Sequence, residues 1–390
     1  MVEPRTGGPL TGYRVVEIAG IGPAPLCCSL LADMGAKVVR IDRKEQTGLG
    51  FEYAGAKADI RRRGRPSVAV DLKHPRGVET VLRLIESADA LVDPMRPGVM
   101  ERLGLGPDEC LARNPKLIYG RMTGWGQDGP LAHVAGHDIN YISLSGVLHA
   151  IGTRERPVPP LNVIGDMGGG AMSMAFGIMA GVYEARNSGK GQVIDISMTE
   201  GSAYLALAMY GMAGVGDYSH RRKDNILDGG APFYRCYETK DKKFISVASI
   251  EEKFYKLLLE KTGLSKEENL PDQLDKSQWP AMHRRFEKIF LTKTREEWCS
   301  VMEGSDICFA PVLTFNEAPN HSHNKARGTF TDIEGIPQPN PAPRFSRTPG
   351  FVKSPPPEYG LNTLDGLVEW GLQQSEVQDL MDQGVVGWRG

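Results

Sequence analysis

The chain has 390 residues, in which 46 lysines and arginines nearly balance 48 aspartates and glutamates, for a net charge of −2. A balanced chain has no global field that would attract nucleic acid or an anionic membrane, so neither is expected as a partner. Its six scattered cysteines contain no CxxC pair, which argues against a disulfide framework and a cysteine-rich zinc site.

The first half of the chain alternates short apolar runs with segments of helical spacing. Residues 14–20 and 37–42 are β-branched runs typical of buried strands, and PLCCSLLADMG between them has apolar residues at helical spacing. The alternation continues with predicted strands at 67–72, 90–93, 117–124 and 192–198, and predicted helices at 77–88, 168–189 and 199–214. Such alternation predicts an α/β fold, with a Rossmann-like parallel sheet covered by helices on both faces.

The pattern changes beyond residue 220. A polar segment at 220–225 precedes an antiparallel hairpin predicted within 233–249, then charged helices at 251–262, 281–291 and 294–303. The proline-dense stretch 336–357 predicts an extended strap, followed by a last amphipathic helix. We therefore predict a large domain of residues 1–200 and 325–390, a linker helix at 201–224, and a small α+β domain at 225–324.

The turn after the first predicted strand reads GIGPAP, residues 20–25. Its GxG opening matches half of a dinucleotide-binding fingerprint, and Asp42 ends the next strand where a ribose-binding acid would lie. Pro25 replaces the third glycine, so a Rossmann-like scaffold without a nicotinamide is the favoured interpretation.

Arginines recur near the predicted strand ends. They are Arg40, Arg43, Arg96 and Arg102, together with the run Arg61, Arg62, Arg63 and Arg65. Open α/β sheets bind ligands at strand ends, and guanidinium groups suit phosphates, so a polyphosphate ligand is predicted. The alternative for each arginine is a surface salt bridge. Taken alone, the run at 61–65 is typical of a solvated face or a nucleic-acid patch, and one short cluster in a balanced chain makes the latter the less expected.

Two stretches carry candidate catalytic groups. Asp166 in IGDMGGG stands at a predicted helix start, either as an N-cap or as a carboxyl group beside amides that could hold an oxyanion. In AGHDINYISLSG, Asp138 is predicted to place its carboxylate near the amides at the start of its own helix. His137 precedes it in a glycine-bounded turn. No HExxH or similar spacing is present, so no metal is predicted.

The sequence predicts a cytoplasmic location. The N-terminal residues lack a signal-peptide core and a transit-peptide composition, and the final GWRG is neither a peroxisomal signal nor a prenylation motif. The longest apolar run, around residues 170–183, is short and glycine-rich for a membrane span.

Taken together, these stretches resemble the family III CoA-transferase superfamily, and within it the members that invert the 2-methyl centre of acyl-CoA thioesters. The matching segments are RVVEIAGIGPAP, GAKVVRIDR, DLK, RPGVMERLGLGP, RMTGWGQDGP, AGHDINYISLSG, PVPPLNVIGDMGGG, DGGAPFY and RFSRTPG. The resemblance covers nearly the whole chain. It implies an interlocked homodimer, with each active site between one subunit's large domain and the other's small domain.

The resemblance also assigns site residues. Catalytic roles fall on His137, Asp166 and, from the small domain, Glu251, with Glu252 as the alternative partner of the histidine. The implied CoA-binding positions are Arg43, Val70, Asp71, Leu72, Lys73, Pro94, Met95, Arg96, Arg102, Gly136, His137, Asp138, Ile139, Asn140 and Tyr141. No separate cofactor is implied, because CoA is part of a 2-methylacyl-CoA substrate.

Inversion of the carbon next to a thioester requires two acid/base groups on opposite faces of a planar enolate. By the resemblance, His137 and Asp166 supply them, the Asp166 amide binds the enolate oxygen, and Glu251 orients His137. Two alternatives remain open. One is a CoA-transferase in which Asp166 attacks the thioester, and the other is a non-catalytic CoA- or nucleotide-binding protein. The acyl chain, whether branched fatty acid, sterol side chain or arylpropionyl, stays undetermined.

Overall fold

A computed structural model describes residues 7–44 and 56–387 of the chain. The chain divides into two units. The large unit comprises Met1–Ser145, Leu161–Leu205 and Gly328–Gly390, and the small unit comprises Gly146–Pro160 and Ala206–Arg327. The chain therefore enters the small unit twice, first at Gly146 and again at Ala206.

The strands are β1 (Arg14–Ile18), β2 (Lys37–Arg43), β3 (Ser67–Val70), β4 (Ala90–Asp93), β5 (Ile118–Thr123), β6 (Gln192–Ser197), β7 (Tyr234–Glu238), β8 (Phe244–Ala248), β9 (Phe309–Val312), β10 (Phe330–Ile333) and β11 (Ile336–Pro339). The α-helices are α1 (Pro23–Asp33), α2 (Pro75–Ile85), α3 (Val99–Arg102), α4 (Pro107–Arg113), α5 (Asp138–Leu144), α6 (Val147–Ala150), α7 (Ser173–Ser188), α8 (Met198–Leu205), α9 (Leu207–Gly214), α10 (Glu252–Thr262), α11 (Trp279–Phe290), α12 (Arg295–Met302), α13 (Ser322–Arg327), α14 (Thr363–Glu369) and α15 (Gln374–Asp382). A π-helix, Val163–Met172, leads directly into α7.

The large unit is built on a six-stranded sheet in the order β3-β2-β1-β4-β5-β6. Every neighbouring pair of strands in it is parallel; Val16, for example, lies opposite Val39 on β2 and Leu91 on β4. This is the Rossmann order: β2 and β3 are added on one side of β1, and β4, β5 and β6 on the other, so the switch point lies between β1 and β4. The predicted α/β class is confirmed.

Both faces of this sheet are buried because successive side chains of a strand point to opposite faces. Val16 and Val39 belong to the apolar cluster that also contains residues of α2, α14 and α15. Val15 and Val38 point the other way, into a cluster with residues of α1 and α7. The C-terminal helices therefore complete one face of the sheet, and the long helix that begins with the π-helix covers part of the other.

That long helix extends further than the sequence suggested. The π-helix and α7 together span Val163–Ser188, 26 residues, with a mean hydropathy of 1.3 in the most apolar window. By length and composition it could cross a membrane, so the prediction that no apolar segment is long enough was wrong. This is weak evidence for a span, since Met174, Ile178 and Val182 pack on the sheet as core-helix residues do.

The small unit contains the antiparallel sheet β7-β8-β9. The predicted hairpin is confirmed: β7 pairs with β8, with Cys236 opposite Ser246. Helices α10, α11 and α12 correspond to the three predicted charged helices. Their buried faces meet the sheet in an aromatic core, where the rings of Tyr237 and Phe290 lie 4.9 Å apart and those of Phe290 and Trp298 5.2 Å apart.

Three arginines of the run in the large unit, Arg62, Arg63 and Arg65, are buried, and Arg61 is half-buried. Arg62 and Arg65 are each 1% exposed. Arg65 Nε lies 2.9 Å from Glu17 Oε2, and Arg63 Nη2 lies 2.6 Å from Asp33 Oδ2. These ion pairs balance the charges of Arg63 and Arg65, as buried guanidinium groups require. Arg62 lies 3.9 Å from Asp42 Oδ2 and stacks over the ring of Tyr359. The interpretation of this run as a solvated face was wrong, and a phosphate-binding role for its buried members is not supported. The salt-bridge alternative holds, with the ion pairs of Arg63 and Arg65 inside the fold and not on its surface.

Arg40 and Asp42 join the same buried network. Arg40 contacts Glu17 Oε1 through Nη1 at 2.5 Å and Asp42 Oδ1 through Nε at 3.0 Å. The other oxygen of Asp42 accepts a hydrogen bond from the hydroxyl of Ser67 at 2.5 Å. Because both carboxylate oxygens are engaged inside the fold, neither Asp42 as a ribose ligand nor Arg40 as a phosphate ligand is supported.

Candidate active site

His137 lies at the N-cap of α5, on a loop that follows β5. Its backbone is extended, its N–H donates to Asn140 Oδ1 at 3.0 Å, and its side chain is exposed. The N-cap residue of α5 is therefore His137, and Asp138 is the first residue of the helix itself. The histidine is presented at a fixed backbone position with its imidazole open to a ligand.

Two aromatic side chains hold this loop from behind. Trp125 Nε1 donates to the carbonyl of Val134 at 3.1 Å, the hydroxyl of Tyr141 donates to the carbonyl of Gly136, and the two rings meet edge to face at 4.9 Å. A Cβ on Gly136 would lie 2.8 Å from both rings. Only glycine fits there, and the contact fixes the residue immediately before His137.

Asp166 lies in the first turn of the π-helix and is partly buried. Its Oδ2 accepts a hydrogen bond from Asn162 Nδ2 at 3.0 Å. The same oxygen would be 3.2 Å from a Cβ on Gly22, in the turn that follows β1. The carboxyl group therefore faces the glycine-containing turn at the switch point of the sheet, which is where open α/β folds bind ligands.

The backbone amide of Asp166 is already engaged. Asp138, whose side chain is buried, accepts its N–H through Oδ2 at 2.7 Å. Two expectations are corrected by this bond. The carboxylate of Asp138 accepts a hydrogen bond from the π-helix and not from the amides at the start of α5. The Asp166 N–H is therefore not available to an enolate oxygen. A Cβ on Gly165 would lie 2.5 Å from Asp138 Oδ2, so glycine is needed for this approach.

The environment raises the pKa of Asp166 above its ordinary value. Burial is the main cause, and the negative charge of Asp138 adds to it. The hydrogen bond from Asn162 and the positive charges of His137 and Arg61 act in the opposite direction. The hydrogen bond between the Asp138 carboxylate and the Asp166 amide brings the residue after His137 next to Asp166. A raised carboxyl pKa makes the acid form more accessible near neutral pH.

The π-helix brings Asp166 close to its neighbours through glycine contacts. A Cβ on Gly169 would lie 2.7 Å from Ser202 N of α8, and one on Gly170 would lie 3.0 Å from Pro23 Cβ of α1. Just before this helix, Leu161 has a left-handed backbone with φ of 60°. Strained residues and π-helical turns are both concentrated at functional sites.

The predicted CoA-binding residues of the large unit gather at one edge of the sheet. Arg43 and Val70 end β2 and β3, Asp71 to Lys73 follow β3, Pro94 to Arg96 follow β4, and Gly136 to Tyr141 follow β5. The carboxyl ends of parallel strands share an edge, so these segments converge. The turns after β1 and β4 touch, since a Cβ on Gly20 would be 2.5 Å from Pro94 Cγ. Arg102 ends α3, which follows β4 in the chain.

Several cations are exposed along this edge. They are Arg43, Lys73, Arg96 and Arg102. Arg43 Nη2 lies 4.0 Å from Met95 Sδ, which joins the ends of β2 and β4. Within residues 7–44 and 56–387, no three His, Cys, Asp or Glu side chains are grouped so as to hold a metal ion.

Glu251 and Glu252 belong to the small unit. Glu251 is the extended N-cap residue of α10 and is exposed. Glu252 forms an ion pair with Lys256 at 2.5 Å, one turn along the same helix. The carboxylate of Glu251 has no such partner among the described residues, which makes it the better candidate of the two. Its interaction with His137 stays a prediction.

Sequence reasoning missed two polar residues of the large unit. Asn162 stands four residues before Asp166, a spacing that places side chains on one face of a helix and could have drawn attention to it. Asp93 ends β4, where its Oδ1 accepts the N–H of Met95 at 2.8 Å. Burial raises the pKa of Asp93 to about 6. No local pattern distinguished it from the other strand residues.

Comparison with known proteins places the chain in a family. The family model described as CoA-transferase family III matches residues 10–363. Alpha-methylacyl-CoA racemase from Mus musculus is 47% identical over 380 residues, and the Homo sapiens protein of that name is 42% identical over 382 residues; each alignment covers 97% of both chains.

More distant relatives share the fold. Succinyl-CoA:glutarate CoA-transferase from Mus musculus is 26% identical over 97% of this chain and 90% of its own. The crystal structure of a CaiB/BaiF family protein from Brucella suis superposes with a TM-score of 0.80 at 22% identity, covering 93% of this chain and 100% of that one. The protein belongs to CoA-transferase family III.

Proposed function

We propose that the protein is a racemase that inverts the 2-methyl centre of 2-methylacyl-CoA thioesters by proton transfer through an enolate. The observation that supports the proposal is the hydrogen bond from the Asp166 amide to Asp138, the residue after His137, at the ligand-binding edge of a Rossmann sheet. The carboxyl group of Asp166 also has a raised pKa. Similarity over nearly the full length to two alpha-methylacyl-CoA racemases supports the same activity.

The CoA part of the substrate would lie along the carboxyl ends of β2, β3 and β4. The exposed Arg43, Lys73, Arg96 and Arg102 offer cations for its phosphates. Backbone groups of the segments at 70–73, 94–96 and 136–141 would position its remaining polar groups. The thioester would then lie between the start of α5 and the start of the π-helix.

The chemistry follows from two groups that exchange protons with one carbon. With one epimer, neutral His137 removes the α-proton and protonated Asp166 returns a proton to the other face. With the opposite epimer, the Asp166 carboxylate removes the proton and the His137 imidazolium returns one. Each reaction leaves His137 and Asp166 in the protonation states that the opposite epimer requires. A raised pKa of Asp166 reduces the free-energy difference between its protonated and ionised forms near neutral pH.

The enolate oxygen requires a donor other than the Asp166 amide, which donates to Asp138. Asn162 Nδ2 carries a second hydrogen beyond the one donated to Asp166, and that hydrogen has no acceptor within the described part of the chain. It is the donor that we assign to the enolate oxygen. Loss of such a donor typically lowers turnover by about 10²–10³-fold.

We further infer that the protein acts as a homodimer in the cytoplasm, without a membrane or nucleic-acid partner. Large apolar side chains are exposed on α7, α8 and α9 and on the residue after α9: Phe176, Tyr183, Tyr204, Leu205, Leu207, Tyr210 and Val215. A second copy of the chain would bury such side chains. In the dimer, Glu251 would orient His137 of the other subunit and stabilise its cation. Light scattering of the purified protein tests the dimer.

A CoA-transferase is the second candidate, because Asp166 could instead attack the thioester and form an anhydride. The two reactions are separated by incubating a single-epimer 2-methylacyl-CoA with the protein in D₂O, with and without a carboxylic acid acceptor. Racemase activity gives α-deuterium and inversion without the acceptor. Activity that requires the acceptor would contradict the proposal.

A further inference from the structure

The small unit contains a cleft of about 400 Å³ that no part of the proposed reaction uses. It is lined by Arg154, Lys223, Gly230, Arg235, Pro280, His283, Arg284 and Glu287. These residues come from the segment between α6 and the π-helix, the segment between α9 and β7, β7 itself and α11. A concave site of this volume is suited to a small molecule.

The cleft has an excess of positive charge. Four of its lining residues are cations and one is a carboxylate. Arg235 reaches that carboxylate, Glu287, only at 3.9 Å. Within residues 7–44 and 56–387, Arg154, Lys223 and Arg284 have no carboxylate within ion-pair distance. By contrast, the buried Arg63 and Arg65 of the large unit lie 2.6 and 2.9 Å from theirs.

Two of these cations are held in place by backbone carbonyls. Arg154 Nη2 donates to the carbonyl of Lys223 at 3.0 Å, and Lys223 Nζ donates to the carbonyl of Asp228 at 2.7 Å. Lys223 itself has a left-handed backbone with φ of 59°, a conformation that needs such support. The carboxylate of Asp228 accepts hydrogen bonds from the backbone N–H groups of Asn225 and Gly230, so it stabilises the loop and does not form an ion pair with Lys223.

His283 contributes a neutral imidazole to the wall. Its Nε2 lies 2.7 Å from the carbonyl of Gly230, so Nε2 carries the proton and donates it. Nδ1 is then the acceptor and lies 3.4 Å from both Arg235 Nη1 and the hydroxyl of Tyr237. Burial is the main cause that lowers the pKa of His283, with Arg235 and Arg154 acting in the same direction. The histidine therefore adds no further charge to the cleft.

We propose that this cleft binds a phosphate dianion carried by a small molecule. Guanidinium groups match phosphate oxygens in geometry, and a dianion would neutralise most of the unpaired charge. The phosphate could belong to a free phosphomonoester or to CoA itself. None of the lining residues is among those that we assign to the racemase reaction, so this inference stands independently of the proposed function.

Arg284 and Arg285 provide a matched pair of variants for the test. They are neighbours on α11, but Arg284 lines the cleft, whereas Arg285 pairs with Glu267 at 3.0 Å and does not. Inorganic phosphate is titrated into the full chain while the imidazole signal of His283 is followed by NMR, with the signal assigned from His283→Gln. We expect saturable movement of that signal, about tenfold weaker binding in Arg284→Gln, and unchanged binding in Arg285→Gln.

Adding CoA identifies the source of the phosphate. If CoA displaces inorganic phosphate from the cleft, a CoA phosphate is the occupant; if both bind together, the occupant is a separate phosphomonoester. Arg235→Gln supplies a second variant with the same expected weakening should Arg284→Gln fold poorly by circular dichroism. A His283 signal that millimolar phosphate leaves unmoved, or equal weakening in Arg284→Gln and Arg285→Gln, would overturn the proposal.

Discussion

The carboxylate of Asp138 accepts the backbone N–H of Asp166 at 2.7 Å. This single bond joins the start of α5, which presents His137, to the start of the π-helix, which presents Asp166. It fixes the separation of the two proposed proton-transfer groups, and it places a negative charge beside Asp166. Geometry and acidity at the site are therefore set together by a residue that does not itself transfer the proton.

Replacing Asp138 with Asn should lower the pKa of Asp166, because it removes a negative charge that raises it. The amide oxygen can still accept the Asp166 N–H, so the geometry is retained. In the direction that uses Asp166 as the base, the acidic limb of the kcat profile should move to lower pH. Asp128→Asn, at an exposed acid, serves as the control and should leave the profile unchanged. An unmoved limb in Asp138→Asn would contradict this account.

Replacing Asn162 with Ala should act in the opposite sense. The hydrogen bond from Asn162 lowers the pKa of Asp166, so its loss raises that pKa and moves the same limb to higher pH. Because the proposed enolate donor is also lost, kcat should fall by about 10²–10³-fold. Steady-state kinetics across pH measure both effects. A variant with normal kcat would remove Asn162 from the mechanism.

Replacing Glu17 with Ala should strongly destabilise the large unit. Glu17 is fully buried and pairs with both Arg40 and Arg65, so its loss leaves two buried guanidinium groups without that partner. Breaking a buried pair typically costs about 3–5 kcal/mol. Urea unfolding measures this loss. Glu238→Gln, which breaks an exposed pair with Lys242, is the control and should show no measurable change.

Asp93 should make stability depend on pH. Burial raises its pKa to about 6, so the folded chain keeps a proton that the unfolded chain releases between about pH 4 and pH 6. Stability from this group is present below pH 4 and is lost as the pH rises to about 6. Asp93→Asn mimics the protonated form and should be more stable than the parent by about 3 kcal/mol at pH 7.5.

The test is urea unfolding of Asp93→Asn and the parent protein at several pH values. Their difference should shrink towards zero at about pH 3, where the parent is protonated in both states. A difference that does not depend on pH would show that the buried carboxylate is not its cause.

The sheet of the large unit was predictable because its signals are local. Val15, Val16, Val38 and Val39 lie in short β-branched runs that are apolar on both faces, as buried parallel strands require. The burial of Arg63 and Arg65 was not predictable, since the carboxylates that pair with them are on α1 and β1, far away in the sequence. The role of Asp138 was also not predictable from its neighbours in the sequence. Its carboxylate accepts a hydrogen bond from the amide of Asp166, which is 28 residues away and comes near only in the folded chain.

The central claim is that His137 and Asp166 act on opposite faces of one carbon. It is tested most directly by α-deuterium exchange of each separate epimer of a 2-methylacyl-CoA in D₂O, using His137→Ala and Asp166→Ala. Each variant retains one base, so each should exchange only one epimer, the two variants should choose opposite epimers, and neither should invert. Inversion by either variant, or exchange of both epimers by one of them, would contradict the two-base account.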